Sequence, residues 1–190
     1  FEIDDMKSKC LKVFPRIFNY FSIRTFSEIN LEKFINVKLP VNDSFISLHG
    51  AIDLLNLDKK KKIVEIFDFK TGKSLKSFDY SKGDKLTKLK AFRYKLQLHF
   101  YVLLVNLRFM SAFNDFTRHP SLVFVENEDI NTFELSLDFD SEFYEKLKIV
   151  IVNIHKIVTK NSPIDTSKFS DDFEGILEYF DYLSDPGLII

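Results

Sequence analysis

Apolar and polar residues alternate in two periods along the chain, and the switches between them mark out the elements. Met6, Cys10, Val13, Phe14, Ile17 and Phe21 recur at helical spacing, which predicts a first helix over about residues 5–21 with Pro15 as an interruption. Residues 34–41 alternate in the manner of a strand. Residues 45–57 and 63–70 are two further β-rich runs, separated by Asp58 and four lysines. Helical spacing returns over 84–108 through Leu86, Leu89, Leu96, Phe100, Leu103, Leu104 and Leu107. Residues 121–125 and 132–139 predict a second hairpin around a polar stretch at 126–131. Residues 141–159 then read as a helix that Asn161-Ser162-Pro163 ends, and a last helix over 171–183 starts where Asp171 and Glu174 have capping-box spacing. The order α-β-β-β-α-β-β-α-α predicts an α/β fold with a mixed sheet flanked by helices.

Composition narrows the class. A chain of 190 residues with 45% hydrophobic and 29% charged residues has enough apolar surface for one folded domain, which argues against disorder. No apolar run approaches the roughly 20 residues that span a bilayer. The single cysteine, Cys10, excludes an internal disulfide, a zinc ribbon and a four-thiolate iron–sulfur cluster, and fits a reducing, cytoplasmic setting. No signal peptide is visible after Phe1, and the chain reads as one domain, residues 1–190, cut from a longer polypeptide.

A formal charge of −1 argues against a nucleic-acid partner until its distribution is considered. Residues 59–95 hold thirteen basic and four acidic residues; the rest of the chain holds fourteen and twenty-four. Neutrality is therefore the sum of a basic and an acidic region, and a basic stretch can steer a phosphodiester. A solvated lysine-rich loop at Lys59–Lys62 is the plainer alternative.

The central hairpin permits a geometric expectation. With its turn on Lys59–Lys62, paired residues have numbers summing to 121, so Leu55 faces Ile66 and Asp53 faces Asp68. Lys70, two residues beyond Asp68, shares its face. Two carboxylates amid Ile52, Leu54, Leu55, Ile66, Phe67 and Phe69 repel each other, and a divalent cation with oxygen ligands relieves that conflict. The alternative is a salt bridge in which Lys70 neutralises one of two aspartates.

Three motifs carry a resemblance. Gly50-Ala51-Ile52-Asp53, then Asp68-Phe69-Lys70-Thr71-Gly72, then Gln97-Leu98-His99-Phe100-Tyr101 resemble the G-x-x-D, D-x-K-T-G and Q-x-x-x-Y motifs of RecB-type nucleases, a branch of the PD-(D/E)XK superfamily. The motifs cover residues 50–101, in the family's order. Each alone is weak, and all three in order form a strong signal. The resemblance implies a restriction-endonuclease-like fold with core order αβββαβ, followed here by a hairpin and helices. It implies that Asp53 and Asp68 bind Mg²⁺ or Mn²⁺, with the main-chain carbonyl of Phe69 as a further ligand, and that Lys70 is the catalytic lysine. Gln97 and Tyr101, on one helix face, would support the site and the DNA, with Lys73 beside them. Ile52 stands where the superfamily's proline would be, and no histidine precedes His49 to serve as an upstream ligand. Glu28 and Glu32 are the carboxylates available for that role, and Glu32 is taken as the candidate. His49 falls on the Asp53 face by alternation, as a supporting or structural residue.

The implied activity is a metal-dependent deoxyribonuclease, an exonuclease rather than an endonuclease, that processes DNA ends in repair or recombination beside a helicase domain or subunit. The rival is a DNA-binding or scaffolding module of the same fold without turnover; a purely structural interaction domain is a third reading. Gly72-Lys73-Ser74 imitates the end of a phosphate-binding loop, but Phe67 occupies the place of that loop's first glycine. No G-x-S-x-G supports a serine hydrolase.

Overall fold

The computed structural model describes residues 2–42, 44–109, 115–129 and 132–188. The elements are α1 (Glu2–Ser22), β1 (Ile29–Val41), β2 (Ser44–Asp58), β3 (Ile63–Lys70), α2 (Lys85–Phe109), β4 (Thr117–Phe124), β5 (Glu134–Ser136), α3 (Ser141–Lys160) and α4 (Phe173–Leu183), with a short 3₁₀ turn at Thr166–Lys168. The strands form one sheet in the order β1-β2-β3-β4-β5. Among the described residues only the β3–β4 pair is parallel, because α2 crosses over between them; the other neighbours are antiparallel. This is the mixed sheet flanked by helices that the sequence predicts, in the restriction-endonuclease-like arrangement.

Two apolar layers sandwich the sheet. On one face α2 covers Ile35, Val37, Ile52, Leu55, Val64 and Ile66; on the other, α1 covers Leu54, Phe67 and Val123. The second half of α2 is buried almost all round, with Val102 to Val105 at most 1% exposed, so it works as a central pillar and not as an amphipathic surface helix. Leu86, expected on its apolar stripe, is exposed instead. Asp84 starts α2 by accepting the Thr87 N–H at 2.8 Å.

Several boundaries differ from the sequence reading. In α1 the inward residues are Val13, Ile17, Tyr20 and Phe21, while Cys10 and Phe14 face solvent; Met6's side chain lies outside the described residues. The helix continues through Pro15. In the second hairpin β4 begins at Thr117, four residues early, and β5 spans only Glu134–Ser136 because three residues of pairing with β4 are all it forms. Residues 130 and 131 of the intervening polar stretch lie outside the described residues. The cap of α4 is Asp172, not Asp171: its carboxylate accepts the Gly175 N–H at 2.9 Å. Gly175 is required there, since a Cβ would come within 2.0 Å of the Ser170 carbonyl oxygen.

Candidate active site

The β2–β3 hairpin sets the site. Asp58 accepts the N–H groups of Lys60 and Lys61 at 3.1 and 2.9 Å, and Lys62 takes a left-handed φ of 57°, so the turn closes on the lysines. Its register sums to 121 from Asp58↔Ile63 to Leu54↔Phe67. There the paired ladder stops. Asp53 and Asp68 are next in register, but the Asp53 carboxylate accepts the Phe69 N–H at 2.7 Å, a side chain standing where a strand partner would be.

The other side of β2 is irregular at the same place. β1 pairs with β2 from Val41↔Ser44 to Ile29↔Asn56, and the register brings Glu32 opposite Asp53. Ile52 faces α2 while Leu54 faces α1, although both numbers are even. Alternation is broken at Asp53 and, opposite it, at Glu32, whose φ of 44° is left-handed for a non-glycine residue. Backbone in that region costs about 1–3 kcal/mol and clusters at functional sites. Leu31, Glu32, Asp53 and Phe69 line one small cleft at this break.

Asp68 and Lys70 project from β3 toward α2. Asp68 is 3% exposed. Its Oδ1 accepts from Gln97 Nε2 at 2.9 Å and from the Tyr101 hydroxyl at 3.1 Å. Gln97 Nε2 also donates to the Tyr101 oxygen at 2.8 Å, and Gln97 Oε1 accepts from Lys70 Nζ at 2.9 Å. The Lys70 ammonium returns to Asp68 as an ion pair, 2.5 Å from Oδ2. Two strand residues and two helix residues one turn apart thus close a ring. Asp68 Oδ2 has the ion pair but no aligned hydrogen-bond donor. Burial raises the Asp68 carboxyl above its ordinary pKa, the Lys70 ammonium against it opposes that rise, and the Asp53 charge adds to it. The Tyr101 hydroxyl is pushed up to about 12, first by burial and then by the Asp68 charge.

The remaining sequence candidates divide. Lys73 is exposed in the loop after β3, where its carbonyl oxygen accepts from Lys90 Nζ at 2.5 Å. The same loop is held by Glu126, which accepts the Gly72 N–H at 3.1 Å. His49 is exposed on the β1–β2 ribbon with its ring stacked on Phe34, four residues from Asp53 or about 13 Å along the strand. Distance along the strand, not the side of the sheet, keeps His49 out of contact with Asp53. Glu28 pairs with Lys59 at 2.8 Å, at the turn end of the hairpin. Lys59–Lys62 are likewise remote: the turn is five residues, or about 17 Å, from the aspartates. Lys61 pairs with Asp58 and Lys62 with Asp115. Nearer the site, Arg93 lines a cavity with Lys70 and Gln97, and Lys90 Nζ lies 5.6 Å from the centroid of the Tyr94 ring that Lys70 Nζ also approaches.

One supporting residue was not singled out from sequence. His99, between Gln97 and Tyr101 in sequence but fully buried, has Nδ1 2.8 Å from the Lys95 carbonyl and Nε2 accepting the Asp140 N–H at 3.3 Å. Those roles fit the neutral Nδ1–H tautomer, and burial lowers its pKa accordingly. It ties α2 to the start of α3. Only the burial of one histidine between two motif positions could have hinted at this.

Among the described residues no three His, Cys, Asp or Glu side chains converge into a ready-made metal cage. A Mg²⁺ site does not need one: it typically uses one or two carboxylates, further oxygen atoms and water. Asp53 and Asp68 provide two carboxylates at the opening of the ladder, and the buried Asp68 Oδ2 is an acceptor with capacity to spare. The donor set fits a hard divalent cation.

An α/β domain whose sheet opens beside two aspartates and a lysine is built like a phosphodiester-cleaving scaffold. The chain belongs to the PD-(D/E)XK nuclease superfamily, whose family model matches residues 5–168. Nucleases of this superfamily generally use Mg²⁺ or Mn²⁺. No curated protein sequence matches the chain. Among solved structures, the chain is similar to one described as "Crystal structure of SSO0001", at 16% sequence identity and a TM-score of 0.38 over 83% of this chain. The match covers 60% of that other chain. Among the described residues no helix is long and apolar enough to cross a membrane.

Proposed function

We propose that the chain is a metal-dependent deoxyribonuclease domain of RecB type that processes DNA ends in repair or recombination, as an exonuclease, within a longer cytoplasmic protein or complex that includes a helicase. The observation that carries this reading is the closed ring of Lys70, Gln97, Tyr101 and Asp68 beside Asp53. Residues from three separate motifs meet there.

Asp53, Asp68 and the Phe69 carbonyl hold the cation in this reading, with Glu32 as a fourth oxygen donor across the cleft. The cation, when bound, polarises the scissile phosphate and lowers the pKa of the attacking water. Lys70 offsets negative charge as it develops on the phosphate and orients the water. Gln97 keeps Lys70 at that station by accepting a hydrogen bond from its ammonium, and with Tyr101 it fixes the rotation of Asp68. Lys73 meets a neighbouring phosphate.

The second reading, a DNA-binding module without turnover, draws on the lack of a three-residue metal cage among the described residues. Labelled linear and circular single- and double-stranded DNA, incubated with Mg²⁺ or Mn²⁺, separates the two. Degradation of linear DNA alone is expected of the exonuclease. Salt-sensitive binding with no cleavage under either metal would favour the module.

A further inference from the structure

The β1–β2 ribbon extends past the rest of the sheet. β3 pairs with β2 only from residue 54 onward, whereas β1 and β2 stay paired out to Val41↔Ser44. One face of this extension carries Ile35, Val37, Leu39, Ile46 and Leu48, all buried in the core that includes α2. Among the described residues the other face is uncovered: the apolar contacts of α1 are with Leu54, Phe67, Phe69, Val123, Val125 and Phe133, none of them on the extension.

That open face is neither polar nor random. Phe34 is 64% exposed and Phe45 50% exposed. Rings and a cation pair diagonally across the strands. Phe34 stacks on His49 with centroids 6.2 Å apart and planes 29° apart, and Lys38 Nζ lies 3.8 Å from the centroid of Phe45. Asn36 and Ser47 fill the positions between them. The stripe runs from Phe34↔Ala51 to Pro40↔Phe45, and its inner end adjoins Glu32 and Asp53. The cleft at those carboxylates includes Leu31 and Phe69, which belong to this same side of the sheet.

From these observations we infer that the outer face of the β1–β2 ribbon is a track for single-stranded nucleic acid, leading an unpaired strand to the carboxylates. This rests on the nuclease reading for its direction, not for its chemistry. Flat rings standing clear of a surface stack on unpaired bases regardless of sequence, while a lysine among them meets the backbone phosphates. A duplex keeps its bases stacked on one another and offers these rings nothing. The track is two strands wide, and Glu32 to Pro40 spans eight residues, about 27 Å. That length suits a run of several nucleotides, and continuity with the carboxylate cleft favours a strand over a protein surface as its occupant.

The test measures binding without turnover. Wild-type protein in EDTA is titrated into fluorescein-labelled dT20 and into a 20-base-pair duplex, alongside Phe34→Ala/Phe45→Ala and Lys38→Glu. All three side chains are solvent-facing, and circular dichroism checks that the variants fold. The double alanine variant is expected to weaken dT20 binding at least tenfold, since stacking is worth about 1–3 kcal/mol per base, with duplex affinity changing less than twofold. Lys38→Glu should weaken dT20 binding and flatten its salt dependence. An unchanged dT20 affinity in the double variant overturns the inference, as does an equal loss for duplex. Loss of self-association with dT20 binding intact would also overturn it, identifying the face as a contact between copies. The readout is independent of cleavage, so a failure of the nuclease reading appears in the cleavage assay and not here.

Discussion

Replacing Gln97 by alanine removes the residue that joins both halves of the candidate site. Its amide nitrogen donates to Asp68 and Tyr101 and its oxygen accepts from Lys70, all at 2.8–2.9 Å. Two of those partners are charged, and hydrogen bonds to charged groups contribute about 1.5–3 kcal/mol each, though removals within one network do not add. Tyr101 still serves Asp68 Oδ1, and Lys70 still has its ion pair, so the net stability loss should be about 2 kcal/mol. For a chain of 190 residues that is a fall in Tm of about 4–8 °C. The effect on turnover should be larger in proportion. Groups that orient metal ligands typically matter by 10–100-fold, and Lys70 also becomes free to swing away from the position where phosphate charge develops. The expected kcat is therefore about 10²-fold lower with KM little changed, or about 2.7 kcal/mol of transition-state stabilisation. Initial rates on a labelled oligonucleotide at saturating Mg²⁺ give the comparison. Gln97→Glu is the sharper companion, because it keeps the reach but sets a second carboxylate about 3 Å from Asp68 Oδ1. A Gln97→Ala enzyme with kcat within twofold of wild type would refute the positioning argument, whatever its Tm.

Two further outcomes follow from the same geometry. A cation that binds only the folded chain stabilises it by about 2.7 kcal/mol at a hundred times its Kd, so Mn²⁺ should raise the Tm by roughly 5–11 °C; Asp53→Ala should abolish the shift, and a full shift in that variant would remove Asp53 from the ligand set. His99 is held neutral by burial, so its folded pKa lies below the unfolded value near 6.5. Its contribution is complete above that value and is lost as pH falls toward the folded pKa, with a slope of up to about 1.4 kcal/mol per pH unit. Urea unfolding from pH 8 to 5 should show this slope in wild type and a reduced one in His99→Gln, and equal slopes would contradict the assignment.

How far the sequence could be read depended on whether a feature is local. The hairpin register followed from a four-lysine turn between two apolar runs, and Asp58 caps that turn through ordinary side-chain hydrogen bonds. Lys70 beside Asp68, and Gln97 one helical turn from Tyr101, follow from periods of two and 3.6 residues. What failed was whatever depends on a departure from those periods. The break at Glu32 and Asp53 comes from one positive φ on a glutamate, which no pattern of apolar residues announces. Charge counted along the chain also misled, because Lys59–Lys62 are near Asp68 in sequence but lie at the opposite end of the strands. His99 escaped notice since its partners, Lys95 and Asp140, include one 41 residues away at the N-cap of α3.

The central claim is that Asp68 and Lys70 are chemical partners on a phosphodiester and not simply a salt bridge. Metal-dependent cleavage of single- and double-stranded oligonucleotides by wild type, Asp68→Asn and Lys70→Ala tests it most directly. Both substitutions are confined to the ring of side chains at the open end of the ladder, and Mn²⁺ calorimetry on each variant reports whether the cation still binds. Cleavage by wild type should require Mg²⁺ or Mn²⁺ and fall by at least 10³-fold in both variants, with Mn²⁺ binding lost in Asp68→Asn but retained in Lys70→Ala. Equal cleavage by all three proteins would contradict it.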